Sequence, residues 1–451
     1  CVTPHSIPTD ERQRDGMTAP TFLPRQIAHP PPEPARTGLR LVQRAAGWLR
    51  AQNPWQLLVV LLAANLAVYA SAWVYANGLE KVYADAATHL NLSRRVFDSL
   101  TPGLGQVGAY WLPLAHFINL PLVWNDYLWR SGLAGTIPSA IAYVGAVYFA
   151  FRLGRELTGK DGAAVLAALV VALNPNYLLL SVMPMFEGIL LCTLLATLYF
   201  ATHWVKNDDF ASLIYCSVWA LLATLVRHDN WVVLPGLFAL IVINTLWVRR
   251  QGRAKLESNL VLFGILALAG IALYLLWNQV SYHDPLWFLH PDHRTRSVPT
   301  GLGLQAGEAL LPNLLSFPIA VYHSLGGIVA LLAVIGLADL LLNQERTNLL
   351  LIGLIGLAPV AFFTLMVFQQ GESWILTREF DGLEFNQRYG LDLLPAAAMY
   401  VAYLARRRWP VRVLLGILLV AGPLLLIRQG RVDAYTEPTA TPGARYSTDS
   451  G

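Results

Sequence analysis

Asp85 precedes His89 by four residues, and the arginine pair Arg94 and Arg95 follows within one further turn or two of chain. On a helix, a spacing of four puts Asp85 and His89 on one face, within reach of a shared substrate. Three later strings carry the same kinds of side chain: Glu187 in PMFEG, Arg227 with Asp229 in RHDNW, and Arg388 with Tyr389 in FNQRYGLDLLP. Acids beside the ends of apolar runs either cap helix N-termini, where the dipole favours negative charge, or line a site. Arg227 and Asp229 are too close in sequence to be a helical pair and read as pocket lining. Arg388 can grip a phosphate through two parallel hydrogen bonds while Tyr389 faces a lipid boundary, or the two can be an interfacial anchor pair.

The elements that must position these residues are membrane helices. Of the 451 residues, 55% are hydrophobic and only 13% charged, with a mean hydropathy of +0.47. Soluble domains carry roughly 25% charged residues, so the chain reads as an all-α polytopic membrane protein. The apolar runs are long, continuous and rich in Leu and Ala, unlike the short alternating strands of a β-barrel. Spans are expected near 56–76, 133–151, 162–181, 186–204, 211–226, 231–248, 259–278, 326–342, 348–368, 390–405 and 411–428, about eleven helices of roughly 20 residues each. They make one transmembrane region over 55–428, between a proline-rich tail at 1–54, expected to be disordered and cytoplasmic, and a polar C-terminal tail at 429–451. That first tail is not expected to be a cleavable signal peptide, and residues before Met17 read as an over-long start or a processing artefact.

Basic residues collect in alternate loops: RLGRELTGK, WVKNDD, WVRRQGRAK, NQERTN and ARRRWP share a side with the arginine-rich tail. The positive-inside rule makes that side the cytoplasm and puts the C-terminus outside, in a multi-pass protein of the plasma (inner) membrane. The long loops 77–132, 279–325 and 369–389 then face outward, with Arg94, Arg95, Arg227, Arg294, Arg296, Arg378 and Arg388. Leu92, Val96 and Leu100 repeat at helical spacing opposite Arg94, Arg95 and Asp98, the pattern of a helix lying in the membrane interface. Cys192 and Cys216 fall within spans and Cys1 at the terminus, so no disulfide framework is expected.

The strings DAATHLNLSRRVFDSLTPGLGQVGAYWLPLAH, NPNYLLLSVMPMFEG, LATLVRHDNWVVLPGLF and FNQRYGLDLLP together resemble bacterial membrane glycosyltransferases of the GT-C class. These are relatives of the protein O-mannosyltransferases and aminoarabinose transferases, which use polyprenyl-phosphate sugars. The resemblance runs from about Trp55 to Pro395. It implies a GT-C-like fold with interfacial helices in the first outer loop, and an essential acid there, usually written Asp-Glu. Asp85 holds the first position and Ala86 the second, which departs from a paired acid or metal-binding role. Glu187 and Asp229 match acidic sites of the family. The implied activity moves a sugar from a polyprenyl-phosphate donor to a hydroxyl on a protein, glycan or lipid acceptor, at the outer face and among membrane lipids. Asp85 is then the base that takes the acceptor's proton, and the outer arginines stabilise the leaving phosphate. His89, Arg94, Arg95, Glu187, Arg227, Asp229, Arg388 and Tyr389 are the expected substrate-binding residues.

No cofactor is required by this reading, and a divalent metal is a candidate only. His283, Asp284, His290, Asp292 and His293 gather in YHDPLWFLHPDHRTRS, but without a standard zinc spacing, and HDP and HPD read equally well as turns. GLGLQAG has the wrong spacing for a dinucleotide loop and no Walker-type loop occurs, so neither nucleotides nor nucleic acid are expected as partners. Two other readings are a transporter or flippase of a lipid-linked substrate, and an inactive structural subunit. A transporter would place ionisable groups near span centres, often in two related halves, whereas here the acids sit at span ends. Nothing in a motif names the sugar, the acceptor or the lipid length.

Overall fold

The computed structural model describes residues 53–107, 111–289, 310–370, 375–381 and 384–440. The expected N-terminal tail, the loop residues His290, Asp292, His293, Arg294 and Arg296, the GLGLQAG string and the last eleven residues lie outside the described residues. The described chain is helical, with one isolated bridge between Leu376 and Phe385.

All eleven expected apolar runs are helical, but they are not eleven full spans. Among the described residues, seven helical segments are long and apolar enough to cross a membrane: Pro54–Ala76, Leu133–Thr158, Glu187–Asn207, His228–Val248, Arg253–Tyr282, Thr347–Met366 and Trp409–Pro438. Two more spans arise if bent pairs are joined: Asp161–Ala172 with Pro175–Ser181, bent by 63°, and Leu314–Leu325 with Gly327–Asn343, bent by 114°. Phe210–Thr224 is a shorter apolar helix, and the run at 390–405 resolves into a 3-10 turn, Gln387–Leu393, leading into Leu394–Leu404. The breaks have local causes. Pro175 lacks the N–H that would continue the preceding helix, and Asn174 caps the new one by accepting from the Tyr177 N–H at 2.8 Å. Gly326 adopts φ +80°, a turn that L side chains disfavour.

Helix Glu187–Asn207 is the axis of the bundle. Its whole circumference is buried, chiefly against Leu133–Thr158 and Phe210–Thr224. Small residues permit a close crossing: a Cβ on Gly188 would stand 2.4 Å from the Ser139 carbonyl oxygen. The peripheral helices do the reverse. Leu58, Leu61, Val68 and Tyr69, then Val261, Ile265 and Leu276, then Leu414, Ile417 and Leu424 point outward. Apolar exposure on that scale is stable only against lipid, making this a multi-pass membrane protein.

Charge divides the bundle into two ends. At one end basic loops tie to one another and to a neighbouring helix: Lys160 donates to the Arg406 carbonyl, Arg249 to the Val205 carbonyl at 2.8 Å, and Arg406 and Arg407 both pair with the buried Asp339 of helix Gly327–Asn343. The other end carries helices Ala84–Arg95, Leu114–Val123 and Asp126–Ser131 of the first long loop, together with Gln387–Leu393 and a C-terminal helix, Asp433–Ala440. That last helix corrects the expected polar tail, since Asp433, Ala434 and Glu437 are buried. The interfacial stripe also needs correction: helix Ala84–Arg95 stops before Val96, Leu100 is fully exposed, and the buried face is Ala86, His89, Leu90 and Ser93. The helix lies against protein because three small or polar residues on one face let it pack closely.

Gly188→Val should lower the thermal unfolding midpoint in detergent, by an amount corresponding to about 1–3 kcal/mol of overpacking. Gly252→Ala, where an added Cβ meets nothing within 4 Å, should leave the midpoint unchanged. Equal midpoints for wild type and Gly188→Val would refute the close crossing.

Candidate active site

A cavity of about 550 Å³ opens at the end opposite the basic loops. Asp85, His89, Glu187, Arg227, Asp229, Arg388 and Tyr389 all line it, although they come from four separate stretches of chain. Each stands at an element boundary. Asp85 is in the first turn of Ala84–Arg95, Glu187 opens the central helix, Asp229 lies in the 3-10 turn that starts the next span, and Arg388 lies in the 3-10 turn Gln387–Leu393.

Arg388 is the hub. Its Nη2 donates to the Asp85 carboxylate, its Nε lies 3.8 Å from Glu187 Oε1, and its guanidinium carbon sits 5.2 Å from the Tyr83 ring centre and 5.7 Å from that of Tyr389. Its Nη1 has no hydrogen-bond partner. Burial alone would push this guanidinium's pKa down, but Asp85 and Glu187 raise it well above the usual arginine range. The same contact works on the partner. Burial would raise the Asp85 carboxyl, and Arg388 overrides it, holding Asp85 below the ordinary carboxylate range. Asp85 is therefore ionised while a third of its side chain remains accessible from the cavity.

Arg227 is a second hub. Its Nε donates to Asp229 Oδ1 at 3.1 Å and its Nη2 to Asp392 Oδ2 at 3.0 Å, while its guanidinium carbon is 4.5 Å from the Tyr389 ring centre. One cation cannot fully offset two adjoining buried carboxylates. Burial and the neighbouring Asp229 push the Asp392 carboxyl upward against the pull of Arg227. Both guanidiniums thus approach Tyr389, and Arg227 Nη1 also lacks a partner.

His89 is buried beside the pair, stacked on Phe186 with ring centres 3.7 Å apart, its Nδ1 3.3 Å from His116 Nε2. Burial first, then His116, lowers its pKa well below the usual histidine range, so it is neutral. The remaining wall is mostly apolar: Leu286, Phe288, Phe317, Phe362, Phe363 and Met366 line it, Phe363 stacking on Tyr389 with ring centres 5.3 Å apart.

Arg94 and Arg95 are not in the cavity. Arg94 pairs with Asp126 at 2.7 Å and Asp98 at 3.3 Å and donates to the Val123 carbonyl at 2.8 Å, so it staples the first loop together. Arg95 is exposed. Both sit on the face of the helix that turns away from His89. Arg378 is half-exposed and pairs with Glu384 at 2.6 Å. Sequence reasoning missed Asp392, Tyr83, His116 and Glu437; only Asp392, four residues after Arg388 at a span mouth, carried a readable signal. Among the described residues no three His, Cys, Asp or Glu side chains gather as metal ligands would, and the carboxylates nearest the opening already adjoin guanidiniums.

A family model described as dolichyl-phosphate-mannose-protein mannosyltransferase matches residues 129–277, a third of the chain. No curated protein sequence matches. Among solved structures, the fold is similar to ArnT from Cupriavidus metallidurans bound to undecaprenyl phosphate, with a TM-score of 0.54 and 13% identity, covering 87% of this chain and 76% of that one. It is also similar to the oligosaccharyltransferase of Archaeoglobus fulgidus in its apo form, with a TM-score of 0.52 and 13% identity over 87% of this chain. The chain spans 57% of the length of that archaeal enzyme. With the mannosyltransferase-type match inside it, this all-helical bundle has the fold of the GT-C class of membrane glycosyltransferases.

Proposed function

We propose that this protein transfers a sugar from a polyprenyl-phosphate donor to a hydroxyl acceptor on the outer face of the membrane. The observation that carries the reading is one cavity with two chemically distinct linings: an ionised Asp85 with Arg388 and Arg227, and an aromatic, apolar wall beside them. A lipid phosphate has the same division, an anionic head on an apolar chain. The solved relative bound to undecaprenyl phosphate supports that donor class.

In the transfer, the acceptor oxygen bonds to the anomeric carbon as its proton passes to the Asp85 carboxylate. The bond from that carbon to the phosphate oxygen breaks, and the electron pair leaves with the phosphate. Negative charge therefore grows on the leaving group, where the spare Nη1 donors of Arg388 and Arg227 offer hydrogen bonds in a setting poor in water. Tyr389 holds the two guanidiniums near one another. Glu187 and Asp229 face the same space and are suited to accept from sugar hydroxyls. Arg94 and Arg95 have no part in this step.

The outer-face assignment rests on the basic loops lying at the opposite end of the bundle, which the positive-inside rule makes cytoplasmic. The N-terminus is then inside and the C-terminus outside. The acceptor class, whether protein, glycan or lipid, is left to experiment, as is the sugar.

Asp85→Asn keeps an oxygen acceptor for Arg388, so the purified variant should remain folded by thermal unfolding while sugar transfer from a panel of polyprenyl-phosphate sugars falls at least about a hundredfold. Near-normal release of polyprenyl phosphate would remove Asp85 from the role of base. For orientation, a cysteine placed at the exposed Asn77 should be labelled by an impermeant reagent from outside intact cells, and one at the exposed Glu345 only after permeabilisation. The reverse pattern would turn the cavity to the cytoplasm and overturn the assignment.

A further inference from the structure

Beyond helix Trp409–Arg428 the chain forms a further short helix, Asp433–Ala440, against Pro175–Ser181 and Gln387–Leu393. Its start is fixed by the Ala434 N–H, which donates to Asn176 Oδ1 at 2.8 Å. Glu437, one turn on, is buried and lines no part of the cavity. Its carboxylate instead accepts from two main-chain donors: Oε1 from the Asn386 N–H, and Oε2 from the Arg388 N–H at 3.4 Å. Asn386 is in the left-handed region, φ +58°, and opens the 3-10 turn whose first N–H groups have no partner within the turn. Glu437 supplies the missing acceptors from a different part of the chain.

That 3-10 turn carries Arg388, Tyr389 and Asp392, so its placement governs both guanidinium hubs. It also presses against helix Leu310–Leu325 so closely that a Cβ on Gly390 would stand 2.3 Å from the Ala320 carbonyl oxygen. We infer that Glu437 is a positioning residue for the transfer: by holding the Asn386 and Arg388 amides, the C-terminal helix fixes the point from which Arg388 reaches the donor phosphate. The inference rests on the donor-site reading given above. Gln at this position would keep the shape but offer one oxygen, and its NH2 group would face the second amide with a donor instead of an acceptor.

The test uses the full-length protein in detergent, with undecaprenyl phosphate as the binding probe. Glu437→Gln should weaken binding about tenfold, the effect of losing one charge-assisted hydrogen bond. It should raise the donor KM while the acceptor KM stays unchanged, and hydrogen exchange at 386–390 should quicken. Tyr435→Ala, on the exposed face of the same helix, should change none of these. If Glu437→Gln folds poorly, Glu437→Asp is read against the same three measurements, since it keeps the charge but falls short of the amides. Unchanged binding and unchanged exchange in the variant would overturn the inference. If the wild type fails to bind the lipid phosphate while exchange at 386–390 still quickens in Glu437→Gln, the positioning role stands and the donor-site reading falls.

Discussion

The site end of this molecule is organised by the almost wholly buried guanidinium of Arg388. An isolated buried ion costs several kcal/mol, so Arg388 is tenable only if counter-charges and acceptors are brought to it. Three stretches of chain meet that demand. The helix after the first span contributes Asp85, with Tyr83 beneath; the start of the central helix contributes Glu187; and the C-terminal helix holds the main chain of Arg388 through Glu437. The result is a carboxylate kept ionised by a cation that itself retains an unused donor.

Bringing those stretches together explains why the helices are broken. A straight span at 162–181 or 390–405 could not present side-chain amides and main-chain carbonyls to one another. At the breaks, Asn174 and Asn176 donate to the Ser324 carbonyl at 2.9 and 3.1 Å, and the Ser324 hydroxyl donates to the Gln387 carbonyl at 2.7 Å. These bonds satisfy backbone groups freed by the bends, which within a membrane protein is the condition for non-helical backbone at depth. They also tie the Arg388 turn to the bent pair on either side. Fold and site therefore share the same polar knot.

Hydropathy made the bundle legible, because lipid and a dry core both demand continuous apolar runs, and all eleven runs proved helical. It could not separate a full span from a bent or short one, since Asn174 and Gly326 alter direction without altering hydropathy. Asp85 and His89 were legible through their spacing on one helix face, and both line the cavity. Arg94 and Arg95 look equally functional in sequence. They face away because the buried side of that helix is set by Ala86, His89 and Ser93, whose partners lie elsewhere in the chain. Asp392 binds Arg227 across 165 positions, and Glu437 lies in a stretch that reads as a polar tail. Contacts of such separation leave no local pattern that names the partner, although the place of Asp392 at a span mouth is itself readable.

The central claim is that Asp85 acts as a base whose ionisation is set by Arg388. The direct measurement is the pH dependence of kcat/KM for sugar transfer in wild type and in Arg388→Gln. In the wild type, Arg388 holds the Asp85 pKa below its ordinary value, so transfer should persist as pH falls towards about 4. Without the guanidinium, burial is no longer offset, and the acid limb of the much slower variant should move to higher pH. An acid limb at the same pH in both proteins would mean that the titrating base is not Asp85, contradicting the account.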